Sequence, residues 1–244
     1  MTSSETPAER QDRLLETEDG RYYAIDKSGT GLANIATTER IRGANVSFGL
    51  PSAPALFLSL AYKAFTAYRD VDVRELFDTH PQGVWPDNQS PLFNFCEQFA
   101  AHVVFAFTAL ESVANEIIPK EHSYTTVDGK TGQEVTYSRD EIERYVSLDE
   151  KLLQVLPSAL DVSSPKGLHI WRDYKKLKKL RNRIIHLKLT DRQSTGPEIE
   201  TVWGDMLRNS KIPFCDNTHK LMGHFGSTVT NRRWYEKYPY TGAQ

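Results

Sequence analysis

Apolar residues recurring at three- and four-residue steps dominate the middle of the chain. Over 91–120, Leu92, Cys96, Phe99, Val103, Ala106, Leu110, Ala114 and Ile117 fall on one stripe of a helix about seven turns long, the spine of a helical bundle. Ahead of it, "GLPSAPA" breaks the chain at Pro51 and Pro54, and "ALFLSLAYKAFTAYRDV", apolar on nearly every face, predicts a buried helix. "YTTVDGKTGQEVTYS" has two β-prone arms around Asp128-Gly129 and predicts a hairpin between helices. Ser138 with Glu141 and Ser147 with Glu150 match the capping box, so two short helices begin there. Pro165 suits a first helical turn, with a helix running on through "LHIWRDYKKLKKLRNRIIH".

The flanks are less regular. "RYYAID" and "KSGTG" predict a short strand and turn, and the stretch before them has no periodicity and reads as a frayed arm. Beyond Leu189, "TDRQSTGPE" reads as a linker, "EIETVWGDMLRNS" and "DNTHKLMGHF" as weaker helices, and "NRRWYEKYPY" as an aromatic, basic end. The expected fold is all-α: an antiparallel helical bundle with a small β-hairpin insertion and a short N-terminal strand. Its expected organisation is a flexible arm over 1–19, an extension over 20–52, a helical domain over 53–190 and a C-terminal helical tail over 191–244.

Composition narrows the class. A net charge of -2 over 244 residues argues against a chain that coats nucleic acid along its whole surface, so any polyanion site is local. Two distant cysteines, Cys96 and Cys215, suggest neither a disulfide framework nor a zinc ribbon. With no signal architecture at the N-terminus and no apolar run of bilayer length, the expectation is a cytoplasmic protein without a membrane partner. No phosphate-binding glycine loop appears. Cys215, His219 and His224 lack a fourth ligand and a shared face, so no metal is expected there.

One helix is odd. On a wheel of about 100° per residue, Ile170, Tyr174, Leu177, Ile184 and Ile185 gather on one face with Arg181 in their middle, while Lys175, Lys176, Lys179, Asn182, Arg183 and His186 lie opposite. A guanidinium keeps its proton, so a buried one must meet a carboxylate, a phosphate or water. Glu111, on the flank of the long helix, is the best internal partner; a snorkelling arginine is the other structural explanation.

"RNRIIH" resembles the signature of HEPN (higher eukaryote and prokaryote nucleotide-binding) domains: an arginine, a polar residue such as asparagine, and a histidine four to six residues after the arginine. Arginine-histidine spacing alone is cheap, with roughly one chance match expected from 16 arginines and 7 histidines, and Arg74 to His80 is such a decoy. Requiring asparagine next cuts the expectation to roughly 0.05, and Glu75 fails that test. The order of helices over roughly 53–190 is similar to the family's as well. Lys188 stands where HEPN toxins paired with nucleotidyltransferases carry a tyrosine, so inactivation by nucleotidylation there is not supported.

The resemblance implies a metal-independent endoribonuclease without a cofactor, in the manner of a toxin or antiphage defence effector, with RNA as substrate and an antitoxin or regulatory protein as a further partner. RNA supplies its own nucleophile in the 2′-OH, so cleavage needs proton transfer and stabilisation of phosphorane charge. His186 would move the proton, Arg181 grip the phosphate with its planar fork, and Asn182 orient one or the other. Lys175, Lys176, Lys179, Arg183 and Lys188 would hold the RNA backbone; the plain alternative is a solvated helix face. On an ideal helix Arg181 and His186 lie about 140° apart, so either the helix ends before His186 or two subunits combine their motifs. A homodimer with a shared cleft is the expectation. The alternative is a non-catalytic HEPN-like module used for dimerisation or nucleotide binding.

Overall fold

The computed structural model describes residues 19–21, 36–77, 86–129 and 131–240. Its first element is a hairpin of β1 (Ala36–Ile41) and β2 (Ala44–Gly49), paired antiparallel with Ile41 opposite Ala44 and Thr37 opposite Phe48. The two residues between the strands, Arg42 and Gly43, have φ of 50° and 85°, the left-handed pair that a tight hairpin turn requires. The sequence reading had no hairpin here. "RYYAID", apart from Arg21, and "KSGTG" lie outside the described residues, as does the arm before Asp19.

Helix α1 (Ala53–Tyr68) starts where expected, capped by Ser52 with Pro54 in its first turn. It is buried on one side only: Ala55, Leu58, Ala61, Phe65 and Tyr68 pack inward, while Leu56 and Leu60 are exposed, which corrects the expectation of a helix buried all round. Helix α2 (Pro86–Glu116) is the spine, and α1 makes its most extensive packing against it. Phe95, Phe99, Val103, Ala106, Leu110 and Ala114 are its buried face.

The second hairpin, β3 (Tyr124–Val127) with β4 (Glu134–Tyr137), stands where two β-prone arms predicted it, but on a longer loop than a two-residue Asp-Gly turn. Asp128 holds that loop through Thr131 N and Gly132 N, and Gly132, not Gly129, takes the positive φ. Helix α3 (Arg139–Tyr145) opens with the Ser138–Glu141 capping box. Next comes α4, made of Leu148–Glu150, a wider π-helical turn Lys151–Val155, and Leu156–Leu160. Ser147 caps it, while Glu150 accepts the Tyr124 hydroxyl instead of closing the reciprocal bond.

Helix α5 (His169–Ile185) begins later than the proline suggested, Pro165 lying in the turn that precedes it. A 3-10 turn, Leu189–Arg192, leads to α6 (Val202–Arg208), α7 (Phe214–Gly223), α8 (Ser227–Thr230) and α9 (Arg233–Glu236). These segments complete the same core: Val202, Met206, Phe214, Leu221, Met222 and Trp234 join the cluster built on α1 and α2. The described chain is therefore mostly helical with two small hairpins. None of its helices is long and apolar enough to cross a membrane.

His102 ties three elements together. The Cys215 amide of α7 donates to its Nε2 at 3.0 Å, so the proton sits on Nδ1 and is donated to the Tyr68 hydroxyl of α1 at 2.6 Å. Burial pushes its pKa down to about 3, since a charged imidazole would lose solvation and the Cys215 bond. The unfolded chain binds this proton below its ordinary pKa of about 6.5, so the stability held at neutral pH is lost as pH falls through the window from 6.5 towards 3. Urea unfolding at pH 6.5 and pH 5 should show this group removing about 1.5 to 2 kcal/mol over that step. His102→Gln should abolish that component, and equal pH dependence in the two proteins would contradict it.

Candidate functional site

The buried stripe of α5 is Trp171, Tyr174, Leu177 and Leu180. It is rotated from the expected one: Ile170 and Ile184 are half-buried and Ile185 is exposed. The cause is the C-terminal segment, whose helices α6 and α7 pack on α5 as α2 does, so a wider arc of the helix is covered. Arg181 consequently sits on the edge of the stripe, half-buried, not at its centre.

Its guanidinium carbon lies 4.9 Å from the centroid of the Phe107 ring on α2. That ring stacks on Tyr174, which in turn packs on Trp171, so the cation ends a row of aromatic faces. A cation over an aromatic face gains on the order of 1 kcal/mol and leaves its charge largely unneutralised. Among the described residues Arg181 makes no ion pair. Glu111 stands one turn beyond Phe107, half-buried, and does not close on it. The Arg181–Glu111 pair weighed as a structural alternative is not formed among the described residues.

Asn182 connects the other two members of the motif. Its exposed side chain accepts from Arg181 Nη1 at 3.2 Å through Oδ1, and its main-chain carbonyl accepts the His186 amide at 2.9 Å. The helix ends at Ile185, and His186 leaves it with φ -120° and ψ 73°, its φ about 60° from the helical value. An ideal wheel therefore no longer fixes where the imidazole points. The His186 side chain is exposed and makes no hydrogen bond among the described residues.

The five cations assigned to RNA divide into two groups. Lys175, Lys176, Lys179 and Lys188 are exposed on the helix and just beyond it. Arg183 is turned inward instead: it donates to Asp191 Oδ1 at 2.6 Å, with 15% of its side chain exposed and none of its partner's. Asp191 also accepts from Val202 N and Lys188 N, both at 2.8 Å, and its carbonyl accepts the Trp203 indole N–H. Burial alone would raise its pKa, but the Val202 and Lys188 amides and then Arg183 outweigh it and hold the carboxylate low. This fastening of the segment after His186 was not legible locally, because Val202 is distant in sequence and "TDRQSTGPE" carries only linker residues.

A second set of groups lies N-terminal on the same helix. Asp149 of α4 accepts from the Tyr174 hydroxyl and pairs with Lys178 at 2.7 Å, tying α4 to α5. Lys151, buried in the π-helical turn, donates to Asn115 Oδ1 and to the Glu143 carbonyl, and burial lowers its pKa. The sequence reading picked neither. The three residues weighed for a metal each have other partners. Cys215 is in the core, with burial pushing its thiol up to about 12, the His219 Nε2–H donates to the Tyr235 carbonyl, and the His224 Nε2–H donates to that of Ser163. Among the described residues no group of three or more His, Cys, Asp or Glu is placed to hold a metal ion.

No protein family model matches the chain, and neither does any curated protein or solved structure.

Two arginines two residues apart thus have different work, and stability separates them. Asp191→Ala, which strands Arg183, should lower the unfolding free energy by about 3 kcal/mol. Arg181→Ala should cost about 1 kcal/mol or less. Urea denaturation at neutral pH measures both, and the opposite order would make Arg181 the structural cation.

Proposed function

We propose that the chain is a metal-independent endoribonuclease of HEPN type, with Arg181 and His186 carrying the reaction and Asn182 holding them in register. The observation that supports this reading most is that Arg181 is anchored on an aromatic ring, with no carboxylate paired to it among the described residues, on a helix that ends at an exposed His186. A guanidinium held by a ring face keeps its donors free for a second, anionic partner. A phosphodiester is the anion that Lys175, Lys176 and Lys179, exposed on the other side of the same helix, would also attract.

In this reading His186 takes the proton from a ribose 2′-OH as its oxygen attacks the adjacent phosphorus. The phosphorus–5′-oxygen bond breaks, leaving a 2′,3′-cyclic phosphate and a 5′-OH. Arg181 binds the non-bridging oxygens, where negative charge builds in the transition state. A second imidazole, from the partner in a homodimer, protonates the leaving 5′-oxygen. Such an enzyme acts on RNA in the cytoplasm as a toxin or defence effector, held in check by an antitoxin or regulatory protein.

The test incubates purified protein with a mixed-sequence RNA in excess chelator, beside Arg181→Ala and His186→Ala. The wild type should produce fragments with 2′,3′-cyclic phosphate ends, and each variant should lose at least about a hundredfold in rate. Equal cleavage by all three, or cleavage only when a divalent metal is restored, would overturn the proposal. Intact RNA with wild type that nonetheless binds it through Arg181 would favour the non-catalytic HEPN-like module.

A further inference from the structure

The outward side of α5 carries one sign of charge. Arg172, Lys175, Lys176 and Lys179 recur on it at three- and four-residue steps, all exposed, and no acidic residue follows Asp173 on the helix. Arg183 continues the row by one turn and bends inward to Asp191. Asp191 is therefore where the basic face meets the C-terminal segment. Its carboxylate holds Arg183 and the Lys188 amide, and its main-chain carbonyl accepts the Trp203 indole N–H at 2.8 Å.

Trp203 is a costly residue to leave in water. α6 buries Val202, Asp205 and Met206, while the tryptophan next to them in the same helix is 43% exposed. Aromatic rings bring some of the largest areas to a core, yet this one stays partly outside a core that its own helix helps to build. The bond to Asp191 turns the polar edge of the indole inward and pins it, so ring carbon is what meets solvent. The 3-10 turn that holds it, Leu189–Arg192, starts three residues beyond His186.

We propose that Trp203 is a stacking platform for one base of a single-stranded RNA whose neighbouring phosphates meet the exposed lysines of α5. Every base has a flat π-face, and an aromatic ring accepts it with little regard to sequence. Bases inside a duplex are already stacked on one another, so the ligand is an unpaired strand. The loop before α6 adds exposed carboxylates at Glu198 and Glu200, with the Glu200 carbonyl 3.4 Å from Arg183 Nη2. They repel a phosphate at that end, which leaves the backbone to the lysines and the uncharged base to the ring. The proposal deepens the ribonuclease reading by naming an unpaired strand as the substrate, and it rests on that reading for the choice of RNA.

The test measures binding of an uncleavable 2′-O-methyl single strand of mixed sequence to the full chain. Trp203→Phe keeps a ring and Trp203→Leu does not, while both lose the Asp191 bond, so their difference separates stacking from any effect on the turn. Trp203→Leu should bind about tenfold more weakly than the wild type, at an unchanged salt slope because no charge is lost. Trp203→Phe should recover most of that loss. A duplex of the same sequence should not distinguish the three proteins. Equal affinity of wild type and Trp203→Leu for the single strand, equal weakness of the two variants, or no binding by the wild type would overturn the proposal. The cleavage assay keeps the two readings apart. Ring-dependent binding without cleavage would sink the ribonuclease reading alone, and cleavage that needs Arg181 and His186 while binding ignores Trp203 would sink the stacking platform alone.

Discussion

A guanidinium cannot give up its proton, so what faces Arg181 decides what α5 is for. An internal carboxylate would make it a structural brace. The chain offers one on the neighbouring helix, Glu111, four residues from the Phe107 ring that Arg181 covers, and no ion pair between them is formed. Phe107 thus braces the arginine without neutralising its charge, and among the described residues no carboxylate does so.

Arg183 shows what a structural arginine looks like in the same helix. Its carboxylate is sealed from solvent and takes two main-chain amides as well, so the ion pair closes a turn that the backbone already frames. That turn fixes the chain just after His186, and α5 stops just before it. The exposed imidazole is in this way carried between two anchored segments, with Asn182 bonded to both Arg181 and the His186 amide.

Much of the fold was legible in periodicity and caps. The α2 stripe shows as a repeat within one helix, and the Ser138 capping box and the second hairpin rest on interactions between residues close in sequence, which local pattern records. The β1–β2 hairpin was missed although its strands carry β-branched residues, because the sign of its turn is an Arg-Gly pair rather than the usual Asn-Gly or Asp-Gly. The site was legible in composition but not in orientation. Ile185, placed on the apolar face, is exposed, and Leu180, which was placed on neither face, is buried, because α6 and α7, remote in sequence, decide which arc of α5 is covered. Arg183 looked like its lysine neighbours for the same reason: Asp191 and Val202 are brought to it only by the tertiary fold.

If the proposed function holds, Arg181 is the cation that meets the phosphate of a bound RNA. The direct measurement is the affinity of an uncleavable 2′-O-methyl oligoribonucleotide for the wild type and for Arg181→Ala across a range of salt concentrations. Loss of one phosphate contact predicts weaker binding by the variant and a salt slope shallower by about one. Identical affinity and slope in the two proteins would contradict it.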